Sequence, residues 1–174
     1  MSKKSSRGFT LIELIVVVAI IGIISAVGTV AYTGYTDGAK KNSAKSNHAA
    51  VVKYIAAEDQ KCAMAAEKVF GVTATYDSST TDSSEVFNCQ TRTGSSVAAA
   101  AETALADFKN PYSTSVSAVR DSDTSASAKA DMGYVNLEVG TGDAADTITV
   151  TTCFQNDCKN SATDNVENEI EVAE

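Results

Sequence analysis

The stretch KKSSRGFTLIELIVVVAIIGIISAV, residues 3–27, decides how this chain is read. After Gly8 an apolar run continues to Ala31, and Glu13 is its only carboxylate. As a helix, residues 9–31 span roughly 34 Å, which matches a hydrocarbon core of about 30 Å. A secretory signal places a shorter apolar stretch, about 7–15 residues, before a small-residue cleavage site. Here the stretch is too long and opens directly after a glycine. Lys3, Lys4 and Arg7 precede it. Their positive charge holds the N-terminus in the cytoplasm and leaves the rest of the chain outside. Glu13 is the misfit. A carboxylate at the centre of a spanning helix costs about 2.5–3.5 kcal/mol and less near the interface, where this one sits. Something outside the run has to offset that cost.

With 174 residues the chain holds one membrane segment and one modest domain. Acidic residues outnumber basic ones 22 to 14, for a net charge of −8, and three of the cations lie before the apolar run. Such a surface does not attract a phosphate backbone, which argues against broad nucleic-acid binding. Four cysteines, Cys62, Cys89, Cys153 and Cys158, all follow the apolar segment. An even count in a small exported domain points to two disulfides, and the spacing lacks the paired C-x-x-C hooks of a zinc site. The short loop CFQNDC holds Cys153 close to Cys158. Cys62 then pairs with Cys89 and ties the end of a long helix to the loop after it.

Beyond the apolar run, Val51, Val52, Ile55, Cys62, Ala66 and Val69 recur at roughly helical spacing, with lysines mainly elsewhere. The helix is therefore expected to continue over 32–70 and to end at Phe70, with Gly71 as its C-terminal cap. Residues 72–94, rich in Thr, Ser and Asp, read as a loop with at most a short strand. A second helix follows in SSVAAAAETALADFKNP, with Val97, Ala101, Leu105 and Phe108 on one face. Ser95 or Ser96 is its cap and Pro111 its stop. STSVSAVRDSDTSASAKAD reads as a polar linker. YVNLEV and TITVTTCF alternate as strands joined by GTGDAAD into an antiparallel hairpin, and EIEV adds a third strand. The expected fold is α+β: one long N-terminal helix, and a head over 71–174 built on a small antiparallel sheet of about three strands. The apolar face of that sheet packs on the amphipathic half of the helix.

The signals for chemistry are weak. His48, the only histidine, has no second histidine or cysteine at ligand spacing, and catalysis needs a constellation. Asp121, Asp123 and Asp131, and Asp143 with Asp146, lack the twelve-residue calcium pattern and read as solvated loop acids. Tyr32 and Tyr35 suit anchoring at a membrane interface. No catalytic residue, metal ligand or cofactor is assigned.

RGFTLIEL, residues 7–14, followed by about twenty apolar residues, resembles the processing and assembly signature of type IV prepilins and the related pseudopilins. The resemblance covers the N-terminal part of the chain; the remainder is similar to the family only in layout. It implies a leader of residues 1–8, cleavage after Gly8 by a prepilin peptidase, methylation of the new N-terminal Phe9, and an assembly role for Glu13. Elementary electrostatics agrees. Cutting after Gly8 creates an ammonium on Phe9, and the Glu13 of a neighbouring copy can neutralise it inside an apolar bundle, where an unpaired charge is very costly. The implied partners are other copies of the chain, the peptidase, the inner-membrane assembly platform and the membrane itself. The precursor would sit in the inner membrane with its head in the periplasm, and the assembled form would be extracellular. Many members carry a proline near the twenty-second mature position; Val30 stands there, so Gly22 and Gly28 are the helix-weakening positions. The resemblance fits a pilus subunit best. A secretion pseudopilin is the nearest rival, and a bitopic anchored binding protein the rival of another class.

Overall fold

The computed structural model describes residues 8–121, 131–142, 145–155, 158 and 164–172. Residues 1–7 of the expected leader 1–8, together with Asp123 and Asp143, lie outside the described residues. The chain divides into two compact units, Met1–Ala39 and Lys40–Glu174.

Helix α1 runs without interruption over Leu11–Ala63, through Gly22, Gly28 and the Asp37-Gly38 pair. In the first unit its apolar side chains are exposed on all sides, and the helix is long and apolar enough to cross a membrane. In the second unit it buries Ala44, His48, Val51, Ile55, Glu58, Asp59 and Cys62. Apart from the adjacent pair Glu58 and Asp59, these positions advance by three or four residues, the stripe of a helix with one face on a core.

The helix ends seven residues before the expected Phe70. Ala65 takes a left-handed φ of 53°, its N–H donates to the Cys62 carbonyl, and the Ala66 N–H donates to that of Lys61. This is a Schellman closure with alanine in the position usually held by glycine. Gly71 serves a different purpose. It and Phe70, both with positive φ, form the two-residue turn between β1 (Lys68–Val69) and β2 (Val72–Thr75), the combination that a type I′ hairpin demands. The expected loop over 72–94 thus holds structure, because β3 (Val86–Asn88) adds in parallel to β2 and completes a three-stranded sheet.

Helix α2 spans Gly94–Ala104, and its cap is Thr93, not Ser95 or Ser96. Ser96 instead returns a hydrogen bond to the Thr93 backbone, closing a capping box. The helix stops at Ala104, well ahead of Pro111, and Asn110 is extended in β4 (Lys109–Asn110), which pairs with β5 (Ser113–Ser117). The main sheet has four strands among the described residues, in the order β6 (Val119–Asp121), β7 (Val135–Val139), β8 (Thr147–Cys153) and β9 (Asn165–Glu171). β7, β8 and β9 are antiparallel, as the alternation predicts. β6, read from sequence as linker, lies parallel to β7.

Register places Val135, Leu137, Ile148, Val150, Thr152 and Ile170 on one face of this sheet. That face shares a core with Val51, Ile55 and Cys62 of α1 and with Val97 and Ala101 of α2. The α+β architecture is therefore as expected, including the sheet packed on the amphipathic half of the long helix. Several small sheets replace the single three-stranded one.

Candidate functional site

At the N-terminal end, Gly8, Phe9 and Thr10 precede the first turn of α1, Thr10 enters its hydrogen bonding only as the acceptor of the Leu14 N–H, and Phe9 is 89% exposed. Glu13 lies in that first turn. The Thr10 backbone N–H and hydroxyl both donate to Glu13 Oε2, at 2.8 and 2.7 Å, and the Glu13 N–H donates to Thr10 Oγ1 at 3.3 Å. TLIE is a capping box: the residue before the helix and the third residue in it satisfy each other's backbone donors. The sequence reading missed Thr10, although the T-x-x-E spacing before an apolar run carries the signal. Glu13 thus has a structural task within its own chain, which lowers the cost of placing a carboxylate near lipid. Both Thr10 bonds go to Oε2. Oε1 accepts no hydrogen bond among the described residues and stays open to a cation. Gly8, Phe9 and Glu13, singled out separately in the sequence, gather at one helix start.

The cysteines lie in the head. Cys62 is bonded to Cys89 with Cα atoms 5.3 Å apart, and Cys153 to Cys158 at 5.6 Å. The first bridge has a buried ion pair beside it. Arg92 Nε donates to Asp59 Oδ1 at 2.7 Å, and its guanidinium also reaches the Cys89 carbonyl. One turn away, Glu58 Oε2 accepts the Phe70 N–H at 2.7 Å and Oε1 accepts from Lys61 at 2.6 Å. The end of α1 is thereby fixed to the hairpin and to the segment after β3. Asp131, one of the acids read as solvated, pairs with Arg120.

His48 is buried where α1 meets β8 and β9. Its Nε2 lies 2.8 Å from Asn168 Oδ1 and its Nδ1 3.1 Å from Thr152 Oγ1. A neutral ring satisfies both, donating to the amide oxygen and accepting from the hydroxyl. Burial pushes its pKa below the ordinary 6.5, against a smaller opposite effect of the Asn168 bond. Beside it, Lys41 and Lys45 hold their ammonium groups 4.9 and 4.4 Å from the centre of the Phe154 ring, a cation–π arrangement. Among the described residues no three His, Cys, Asp or Glu side chains converge as metal ligands.

Residues 3–29 match the family model described as the prokaryotic N-terminal methylation motif. The motif marks prepilin-like chains, pilins and pseudopilins alike, and it covers the helix start where Gly8, Phe9 and Glu13 meet. No curated protein and no solved structure matches the chain.

Proposed function

We propose that this chain is a prepilin: it is cut after Gly8, methylated on Phe9 and polymerised through α1 into a type IV pilus filament. The observation that carries the reading is the surface of α1 in the first unit. From Phe9 to Val30 the large apolar side chains are between 49% and 89% exposed, and none is buried within its own chain. Water cannot be the lasting neighbour of such a surface. Lipid covers it in the anchored precursor, and the same helices of other copies cover it after assembly. Cleavage replaces the Gly8–Phe9 peptide with an ammonium, and Glu13 Oε1 of a neighbouring copy is open to receive it. Charge and apolar surface then specify one register between subunits.

The role is structural, and the filament would serve adhesion, motility or DNA uptake. A pseudopilin of a secretion machine suits the same motif, and filaments recovered from sheared cells and seen by electron microscopy would separate the two. The decisive measurement is the intact mass of the protein purified from membranes. We expect a chain beginning at Phe9 with one added methyl group; a chain still beginning at Met1 or Ser2 would make it a bitopic anchored protein instead.

A further inference from the structure

The last strand of the main sheet, β9, is an edge: among the described residues it pairs with β8 alone. Between that edge and α1 lies a groove of about 600 Å³, lined by Lys45, His48, Val52, Lys53, Phe154 and Val166. Its floor is apolar and its two ends are cationic. Lys45 and Lys53 are exposed, and among the described residues neither forms an ion pair. They are two of the exposed cations of a chain whose net charge is −8. The opposite charge stands on the other face of the same strand. Register puts Glu167, Glu169 and Glu171 on the sheet face turned away from Ile148, Val150 and Ile170, and all three are exposed. The spans agree. Lys45 and Lys53 are separated by about 12 Å along a helix, and Glu167 and Glu171 by about 13.5 Å along a strand.

We propose that the groove between α1 and β9 receives a second copy of this chain, whose Glu167, Glu169 and Glu171 pair with Lys45 and Lys53. The proposal rests on the reading of the chain as a filament subunit and adds a contact between the globular units of neighbouring copies to the contact between their helices. The two patches are distinct surfaces of one molecule. In the proposed filament each copy turns its groove to one neighbour and its glutamates to another, and repetition of that heterologous contact extends it into a ring or an open helix. Exposed charge pairs select partner and register more than they add affinity. The lysine and glutamate rows therefore set which face meets which, while the half-buried Val52 and Val166 supply apolar contact.

The test uses zero-length carbodiimide coupling, which joins a lysine amine to a carboxylate only when the two are in contact. Cells producing the full chain in nitrogen-15 medium and cells producing it in ordinary medium are fused or their membranes mixed and re-equilibrated. The protein is then coupled and its peptides mapped by mass. We expect peptides that join Lys45 or Lys53 to Glu167, Glu169 or Glu171 with one label of each kind, and a yield that falls at high salt. The double reversal Lys45→Glu with Lys53→Glu removes both amines and abolishes this coupling whether or not the contact forms, so it serves as the starting point for the swap. Adding Glu167→Lys and Glu169→Lys to the same chain should restore coupling with the direction of the charges exchanged. Couplings confined to one label, couplings of these lysines to a different polypeptide, or failure of the four-fold swap to restore contact would overturn the proposal. Filaments without the mixed couplings would sink this contact and leave the filament reading standing. Mixed couplings in membranes that never yield filaments would do the reverse.

Discussion

Over residues 11–39, α1 buries no side chain, whereas over 40–63 it sinks a continuous stripe into the head. The contrast extends to the acids on the two stretches. Glu58 and Asp59 are buried and fully engaged inside their own chain, by the Phe70 amide and Lys61 in one case and by Arg92 in the other. Glu13 is exposed, is engaged through one oxygen only, and sits where no cation of its own chain is near among the described residues. One helix thus carries two kinds of instruction. The buried face of the second stretch is complete in a single molecule, and in the proposed filament the first stretch is completed by neighbours.

The strongest way to break that contrast is Glu13→Val. Removing one partner of a buried pair costs about 3–5 kcal/mol, which at 1.4 kcal/mol per tenfold is more than about 100-fold in each docking equilibrium. Membrane insertion and cleavage should persist while sheared filaments disappear, as counted by electron microscopy and by immunoblots of membranes. Glu13→Gln sharpens the result. Glutamine still serves in a capping box, so a Gln variant that assembles normally would assign Glu13 to the helix start and not to docking. In the head the matching change is Asp59→Ala, which strands the Arg92 guanidinium in the interior. A loss of about 3–5 kcal/mol is expected in urea unfolding of the detergent-solubilised chain. Replacing both partners, Asp59→Leu with Arg92→Met, should recover most of it.

The two disulfides should rank by the loops they close. Cys62 and Cys89 are 27 residues apart and Cys153 and Cys158 only 5. Chain-entropy arguments give about 3.5 kcal/mol for the first and about 2 for the second. Paired Cys→Ser variants, compared by urea midpoint, test the order. Acidification should act next. Below pH 6.5 the unfolded chain binds a proton that buried His48, near Lys45 and Lys53 and between Thr152 and Asn168, resists. Stability therefore falls as pH drops through 6.5 and stops falling once the folded ring is itself protonated at its lowered pKa. His48→Gln should flatten the urea midpoint between pH 7.5 and 5.5. The smallest effect is a gain. Ala65→Gly relieves a left-handed alanine and, net of the added chain entropy of glycine, should stabilise the head by roughly 0.5–1 kcal/mol, read as a rise in urea midpoint.

What was legible in the sequence follows the strength of local signals. The apolar run, the stripe from Val51 to Cys62 and the alternation of β7 and β8 each repeat a single physical demand many times, and each element is present. The end of α1 was misplaced because alanine at Ala65 gives no sign of a cap, while Gly71 advertises one and is used in a hairpin. The strands β1 to β3 have two to four residues in a polar stretch, too short to establish a period. β6 was hidden for the same reason, since Val119 alone in its sequence asks to be buried. His48 looked idle because its partners, Thr152 and Asn168, lie more than a hundred positions away. The helix start was half read. Glu13 was noticed for its charge, and its exchange of hydrogen bonds with Thr10 was not.

That exchange also fixes what a protease would meet. By closing the helix at Thr10, the box keeps the peptide bond between Gly8 and Phe9 out of the hydrogen-bonded ladder. In the proposed maturation the enzyme has no turn to unwind before it can stretch the chain across its active site. Gly8 has no neighbouring atom within 4 Å of where a side chain would begin, so its smallness is not needed by the fold. Weakening the box would let the helix ravel forward or back and shift the scissile bond relative to the first ordered turn. Thr10 and Glu13 would then act as the ruler that tells the processing machinery where the leader stops.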